Sequence, residues 1–416
     1  MTTPTLRRHR GFLWLWAAQG VSQFGVQFSA LAIPVLAVTL LQADEWQLGV
    51  LNAAGTAAFL IVGLPAGAWV DRWLKRRTMI IADVVRAGTL AVIPLLWFMG
   101  VLEMWHVYLV AAVIGVATVF FDVSYQSYIP ILVRSEQIGM ANSRLEATAQ
   151  VARIGGPGLA GALLTIVSAP VLLLADAISY LVSALLLWRI RDDEIPADRA
   201  QRQSLWREIA EGAGFVARQP LIRRIVGSTA SANLFGTMSF TLLPLFVLRD
   251  LQLGPAGLGI MLSFGAAGGL IGAVLTSRLS RWIGEGTVIS LSAVASALLL
   301  ALIPLAALVP AEAALPTLAV AEFGLSFMVL VYNITQLTLR QRLCPPKLLG
   351  RMNASIRFVV WGVMPISSLV AGSLGVSLGV LPTMWIAVVG SILGCAFVVF
   401  SPLTGMRVLP TSSAYF

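Results

Sequence analysis

The chain predicts an all-α membrane protein with twelve transmembrane helices in two pseudo-symmetric six-helix bundles. Three observations carry that prediction. Of its 416 residues, 58% are apolar and 11% charged, with a mean hydropathy of +0.87, which leaves too little polar surface to skin a soluble domain. The apolar residues fall into twelve runs near the ~20 residues that cross a bilayer as a helix. The second half repeats the first at an offset of about 210 residues, the mark of a duplicated unit.

Helices are required because barrel strands would be half as long and would alternate with polar residues. The first six runs are Gly11 to Leu41, Gly49 to Val70, Thr78 to Gly100, Trp105 to Ile129, Asn142 to Val167 and Ala169 to Trp188. The second six are Ile225 to Leu248, Gly257 to Ser277, Thr287 to Val309, Ala314 to Leu337, Met352 to Leu378 and Leu381 to Phe400. The repeat pairs Phe24-Gly25 and Pro34 with Phe235-Gly236 and Pro244, and Leu48-Gly49 with Leu258-Gly259. Asp71-Arg72-Trp73 returns as Ser280-Arg281-Trp282, and Asn142 and Ala160-Gly161 return as Asn353 and Ala371-Gly372. This divides the chain into an N-terminal bundle over 1–190, a linker over 191–224 and a C-terminal bundle over 225–416.

Charge sets the orientation. The net charge is +9, yet apart from Arg86 and Arg153 inside spans, only Arg249 falls in an odd-numbered loop. The positive-inside rule then places both termini and the central linker in the cytoplasm of a multi-pass inner-membrane protein. The cations are spent on topology, so no nucleic-acid partner is implied. Within the linker, Leu205, Trp206, Ile209, Ala213 and Val216 recur at helical spacing opposite Arg207, Glu208 and Glu211, which predicts a short amphipathic helix on the inner membrane surface.

Enzymatic chemistry finds no footing. The two cysteines, Cys344 and Cys395, and the two histidines, His9 and His106, offer neither metal spacing nor a nucleophile–base pair at one depth. There is no glycine-rich phosphate loop with lysine, so ATP is not a visible energy source, and no cofactor is expected.

The hinge after the second run reads Gly67-Ala68-Trp69-Val70-Asp71-Arg72-Trp73-Leu74-Lys75-Arg76-Arg77. Its glycine allows close helix approach, Asp71 ends the apolar run and the basic cluster holds the loop on the cytoplasmic face. With two six-helix repeats and a basic middle loop, it resembles the signature loop of the major facilitator superfamily. Leu64-Pro65-Ala66, Phe120-Phe121-Asp122-Val123-Ser124-Tyr125-Gln126, Gly156-Pro157-Gly158-Leu159-Ala160-Gly161 and Asp176-Ala177-Ile178-Ser179-Tyr180 are similar to bacterial exporters of the macrolide-efflux and enterobactin-exporter kind. Gly156-Pro157 is also similar to the glycine-proline motif of drug and proton antiporters, with Ala152 and Ala160 where that motif has glycines. The resemblance implies a monomeric secondary transporter whose conformational switch includes Gly67, Asp71, Arg72 and Arg76. Ser280 stands where Asp71 stands in the first half, so the switch is expected to be asymmetric.

The resemblance also implies that spans one, four, seven and ten line a cavity. Independently, Gln19, Gln23 and Gln27 recur every four residues, placing three amides on one face with Ser22 beside them. The fourth span offers Ser124, Tyr125 and Gln126; the seventh Ser231, Asn233 and Thr237; the tenth Tyr332, Asn333 and Gln336. With Phe24, Phe120, Phe121 and Phe240 nearby and no inward cluster of arginines, this lining suits a bulky amphiphilic or uncharged molecule. Interhelical glue is the alternative use of the same polar stripes.

Ionisable groups at bilayer depth cost about 2.5 to 3.5 kcal/mol each on insertion scales. Asp122 and Arg153 are expected at similar depth, as a neutral ion pair or as a pair that exchanges the cation for a proton. Glu322, mid-span without an obvious cation, is the better proton-coupling candidate, whereas Asp176 is expected near the outer end as a structural or hydrated group. Three functions stay open: a proton-coupled exporter of drugs or secondary metabolites, a siderophore or lysolipid translocator, and a non-transporting membrane receptor.

Overall fold

The computed structural model describes residues 6, 9–70, 73–191, 194, 205–345 and 348–407. The first six spans are α1 (Arg10–Val35), α2 (Glu45–Ile61) continued by α3 (Gly63–Val70), α4 (Lys75–Phe98), α5 (Met104–Leu132), α6 (Ile138–Leu163) and α7 (Ala169–Trp188). After α8 (Leu205–Arg218) come α9 (Pro220–Leu245), α10 (Gly254–Ile283), α11 (Glu285–Leu300) with α12 (Leu302–Leu305), α13 (Ala311–Leu343), α14 (Leu349–Leu378) and α15 (Val380–Gly394) with α16 (Ala396–Val399). Among the described residues, 10 helices are long and apolar enough to cross a membrane. The other two spans depart for local reasons: α2 breaks near Val62, and α6 carries Arg144, Glu146 and Arg153.

The duplication is visible in the backbone. Beyond Pro34, Leu41 N donates to Leu36 O at 3.1 Å and Ala43 N to Ala37 O at 2.8 Å, a widened turn that ends α1. Beyond Pro244, Leu251 N donates to Phe246 O at 2.9 Å and Leu253 N to Val247 O at 3.0 Å. Gln42 and Gln252 follow with φ of 51° and 53°. The same wide turn thus follows a proline in both halves.

The chain forms two compact units, residues 1–43 with 54–201 and residues 44–53 with 202–416. The core of the first gathers Phe12, Leu15, Met79, Phe121, Tyr128 and Leu187. That of the second gathers Ile222, Ile225, Ile289, Leu339, Met352 and Val398. The start of α2 groups with the second unit, where Asn52 Nδ2 donates to Thr241 Oγ1 at 2.8 Å. The linker helix forms as expected, but Phe215 and Val216 pack on the second core and Glu211 pairs with Arg351 of α14. Its outer turns therefore have protein partners as well as any lipid surface.

Lipid tails are as apolar as leucine, so helix pairs are held by close packing. The tightest case is α10 on α13. A Cβ at Gly268 would overlap Phe323 O, and one at Gly272 would lie 2.6 Å from Phe327 O. Only glycine allows these backbones to touch.

Candidate functional site

The second unit contains a cavity of about 330 Å³. On α9, Thr229, Asn233, Thr237 and Phe240 recur at helical spacing and present one face to it. Opposite stand Leu325, Val329, Tyr332 and Asn333 of α13, with Ala293 and Ser296 of α11. The polar groups are held in place: Asn233 Nδ2 donates to Val360 O at 2.9 Å, and the Tyr332 hydroxyl bonds Thr229 Oγ1 at 2.8 Å. None of the lining side chains is Asp, Glu, Lys or Arg. Such a wall accepts hydrogen bonds and apolar bulk but gives no charge to match a phosphate or carboxylate.

Of the expected lining, Asn233, Thr237, Tyr332, Asn333 and Phe240 reach this cavity, whereas Gln336 is buried one helical turn beyond Tyr332. In the first unit Gln19 and Ser22 are buried, Gln23, Gln27 and Tyr125 half-buried and Gln126 exposed. Gln27 seats against Gly156, at the glycine-proline motif. Two aromatics expected in a cavity are used in packing. Phe120 stacks on Trp69 and Trp73 at 6.0 and 5.7 Å, and the Phe121 ring covers Arg86.

Arg86 is the residue that sequence reasoning passed over. Its guanidinium carbon lies 4.2 Å from the Phe121 centroid and 4.4 Å from that of Tyr180, and it pairs with Asp83 one turn earlier on α4. Asp176 of α7 is alongside, accepting from Ser29 Oγ of α1 and from Ser179 Oγ at 3.0 Å. Gly25 makes room for this, since a Cβ there would overlap Asp176 and Ser179. Asp83 and Asp176 are 0% exposed and Arg86 3%. An Asp-x-x-Arg spacing inside an apolar run was the available signal.

Two expectations are corrected by this cluster. Asp122 and Arg153 do not pair: Arg153 is exposed on α6, and the cation that acts on half-buried Asp122 is Arg86. Equal depth along two helices does not place two side chains on facing sides. Asp176 is neither hydrated nor at the outer rim, because α1 and α7 close over it through Gly25.

Glu322 sits 3% exposed in the α10–α13 contact beside Gly265, outside the cavity lining. Among the described residues its Oε2 has no hydrogen-bond partner.

Of the proposed switch, Asp71 and Arg72 lie outside the described residues, and Gly67 falls in α3. Arg76 binds within its own unit, donating through Nε to Leu187 O at 3.0 Å and through Nη2 to Trp188 O at 2.7 Å. In return Glu194 accepts the Lys75 and Arg76 amides at 2.8 and 3.2 Å. The cation satisfies the last carbonyls of α7 and the carboxylate the first amides of α4, as the two helix dipoles favour.

The comparisons agree with this architecture. A match to the multidrug efflux pump Tap of Mycolicibacterium fortuitum is 25% identical over 342 residues, 78% of this chain and 80% of that protein. Macrolide efflux protein A of Streptococcus pyogenes is 22% identical over 401 residues, 96% and 97% of the two chains. A match to an MFS-type transporter of Bacillus subtilis spans 66% of that protein's length. Among solved structures, a bacterial homologue of the iron transporter ferroportin, in an inward-facing state, superposes with a TM-score of 0.75 at 14% identity, covering 97% of this chain and 100% of that one. The family model described as Major Facilitator Superfamily matches residues 15–366, and the chain therefore belongs to the major facilitator superfamily of membrane transporters.

Proposed function

We propose that the protein exports bulky amphiphilic or uncharged organic molecules by alternating access of its two halves, in exchange for protons. The observation that carries this is the charge-free cavity whose walls combine Asn233, Thr237, Tyr332 and Asn333 with Phe240, Leu325 and Val329. A bulky neutral ligand places its apolar body on the latter and its scattered oxygens on the former. The names of the relatives, a multidrug efflux pump and a macrolide efflux protein, support the same ligand class and the outward direction.

Glu322 is the proposed coupling group in this half. A buried carboxylate whose Oε2 lacks a partner is costly in its charged form, and a proton removes the charge. The test is uptake of labelled macrolides and other bulky neutral compounds into everted vesicles, with and without a protonophore. Protonophore-sensitive uptake that is lost in Glu322→Gln is expected. Uptake indifferent to the protonophore would remove the proton, and uptake of lysolipids or siderophores alone would replace the substrate class.

A further inference from the structure

The first unit buries two carboxylates around one guanidinium at mid-span. Asp83 and Arg86 are the ninth and twelfth of the 24 residues of α4, and Asp176 is the eighth of the 20 of α7. Helices α1, α4, α5 and α7 all face the cluster. α1 brings the neutral Ser29, α5 brings Phe121 and the more peripheral Asp122, and α7 brings Asp176, Ser179, Tyr180 and Ser183. With Asp83 and Asp176 both ionised the buried core would carry one unbalanced negative charge, and Asp122 nearby adds to it. Low dielectric makes such an excess expensive, and two carboxylates sharing one site resolve it by holding a proton.

Hydrogen bonding says where. Both oxygens of Asp176 already accept, Oδ2 from Ser29 and Oδ1 from Ser179. Asp83 Oδ1 accepts from Arg86, while its Oδ2 is fully buried and has no hydrogen-bond partner at normal distance among the described residues. Ser183 Oγ interacts with Asp83 and is likewise left without one. The Ser183 hydroxyl donating to an ionised Oδ2 would pair both atoms and leave the negative charge in place, whereas a hydrogen on Asp83 Oδ2 directed at Ser183 Oγ pairs both atoms and neutralises the cluster.

We infer that the Asp83–Arg86–Asp176 cluster is a one-proton binding site, with the proton on Asp83 Oδ2. Its occupancy stands independently of the export reading; only its loading and release during transport rest on that reading. The proton is drawn from bulk water and returned to it, leaving Asp83 as carboxylate with Arg86 as its counterion.

The experiment is infrared spectroscopy of the full-length protein in nanodiscs at neutral pH, with aspartate ¹³C-labelled at its side-chain carboxyl. Labelling separates aspartic acid from Glu322. A label-sensitive carbonyl stretch of a protonated acid, shifted in D2O, is expected in the parent and in Asp122→Asn, and is expected to vanish in Asp83→Asn. Its absence from the parent, or its loss in Asp122→Asn and survival in Asp83→Asn, would overturn the site. Should Asp83→Asn fail to fold, Asp83→Glu replaces it: the protonated-acid band is expected to lose its ¹³C shift there, and a band that keeps the shift would overturn the site. A band in a protein whose vesicle uptake ignores a protonophore would keep the site and reject proton-coupled export; protonophore-sensitive uptake without the band would do the reverse.

Discussion

In the first unit Asp83 and Arg86 of α4 close a charged cluster between Phe121 and Tyr180. At the offset of 210 that aligns Lys75 of α4 with Glu285 of α11, the second unit places Ala293 and Ser296, and both line its cavity. The same offset pairs Gln23 with Asn233 and Gln27 with Thr237. One repeat thus fills a helix-bounded space with a guanidinium and two carboxylates, and the other leaves that space open by substituting small neutral groups. A duplicated backbone fixes where a site can be; side-chain volume and charge decide whether it holds an ion cluster or a ligand.

The sharpest way to break the comparison is to remove the cation. Arg86→Ala leaves the buried Asp176 carboxylate without its cation and is expected to destabilise the protein by about 3 to 5 kcal/mol, seen as a lower midpoint in thermal unfolding of the detergent-solubilised protein. Arg86→Met combined with Asp176→Asn should recover much of that loss, because with the proton on Asp83 these are the two buried charges and they leave together. A double variant no more stable than Arg86→Met would mean that the pair does not act as a unit.

The second unit, by contrast, is expected to be most sensitive to backbone contact. Gly268→Ala drives a methyl into Phe323 O and should cost about 1 to 3 kcal/mol, as overpacking does. Gly55→Ala in the first unit, where a Cβ meets nothing within 4 Å, is the matched control, and equal losses at the two glycines would refute the distinction.

Cavity substitutions should affect binding and spare the fold. Asn233→Leu removes one neutral hydrogen-bonding group, about 0.5 to 1.5 kcal/mol, or roughly a two- to twelve-fold weaker Kd for a bulky neutral ligand. Ser296→Leu, which fills the wall opposite, should weaken binding in the same assay while unfolding stays as in the parent. A binding constant unmoved by both changes would take the ligand out of this cavity.

Arg153→Gln is expected to have the smallest effect. An exposed cation on α6 contributes within about 0.5 kcal/mol, so stability and uptake should match the parent. A loss approaching that of Arg86→Ala would restore the Asp122–Arg153 pairing that the structure sets aside.

Much of the architecture was legible because lipid imposes a simple rule. Every backbone group must be satisfied inside a helix, so run length and composition define the spans. Proline and glycine at a constant offset exposed the duplication. Element ends were less legible: α13 extends to Leu343, past the apolar run, because Arg340 and Arg342 favour the carbonyl end of a helix.

Which face a polar residue turns to, and what meets it, only the tertiary structure decided. Asn233 and Tyr332 were readable as polar positions on their helices, yet their convergence on one cavity depends on how α9 and α13 pack. Depth along a helix suggested Asp122 with Arg153; rotation about the helix axis leaves Arg153 exposed, and the buried ion pair is Arg86 with Asp83 instead. Glu194 reaches the first amides of α4 from 119 positions away from Lys75, a contact no local spacing encodes. Sequence determines these elements through interactions within about four residues along the chain, while partners across helices are set by close packing, which depends on every neighbour at once.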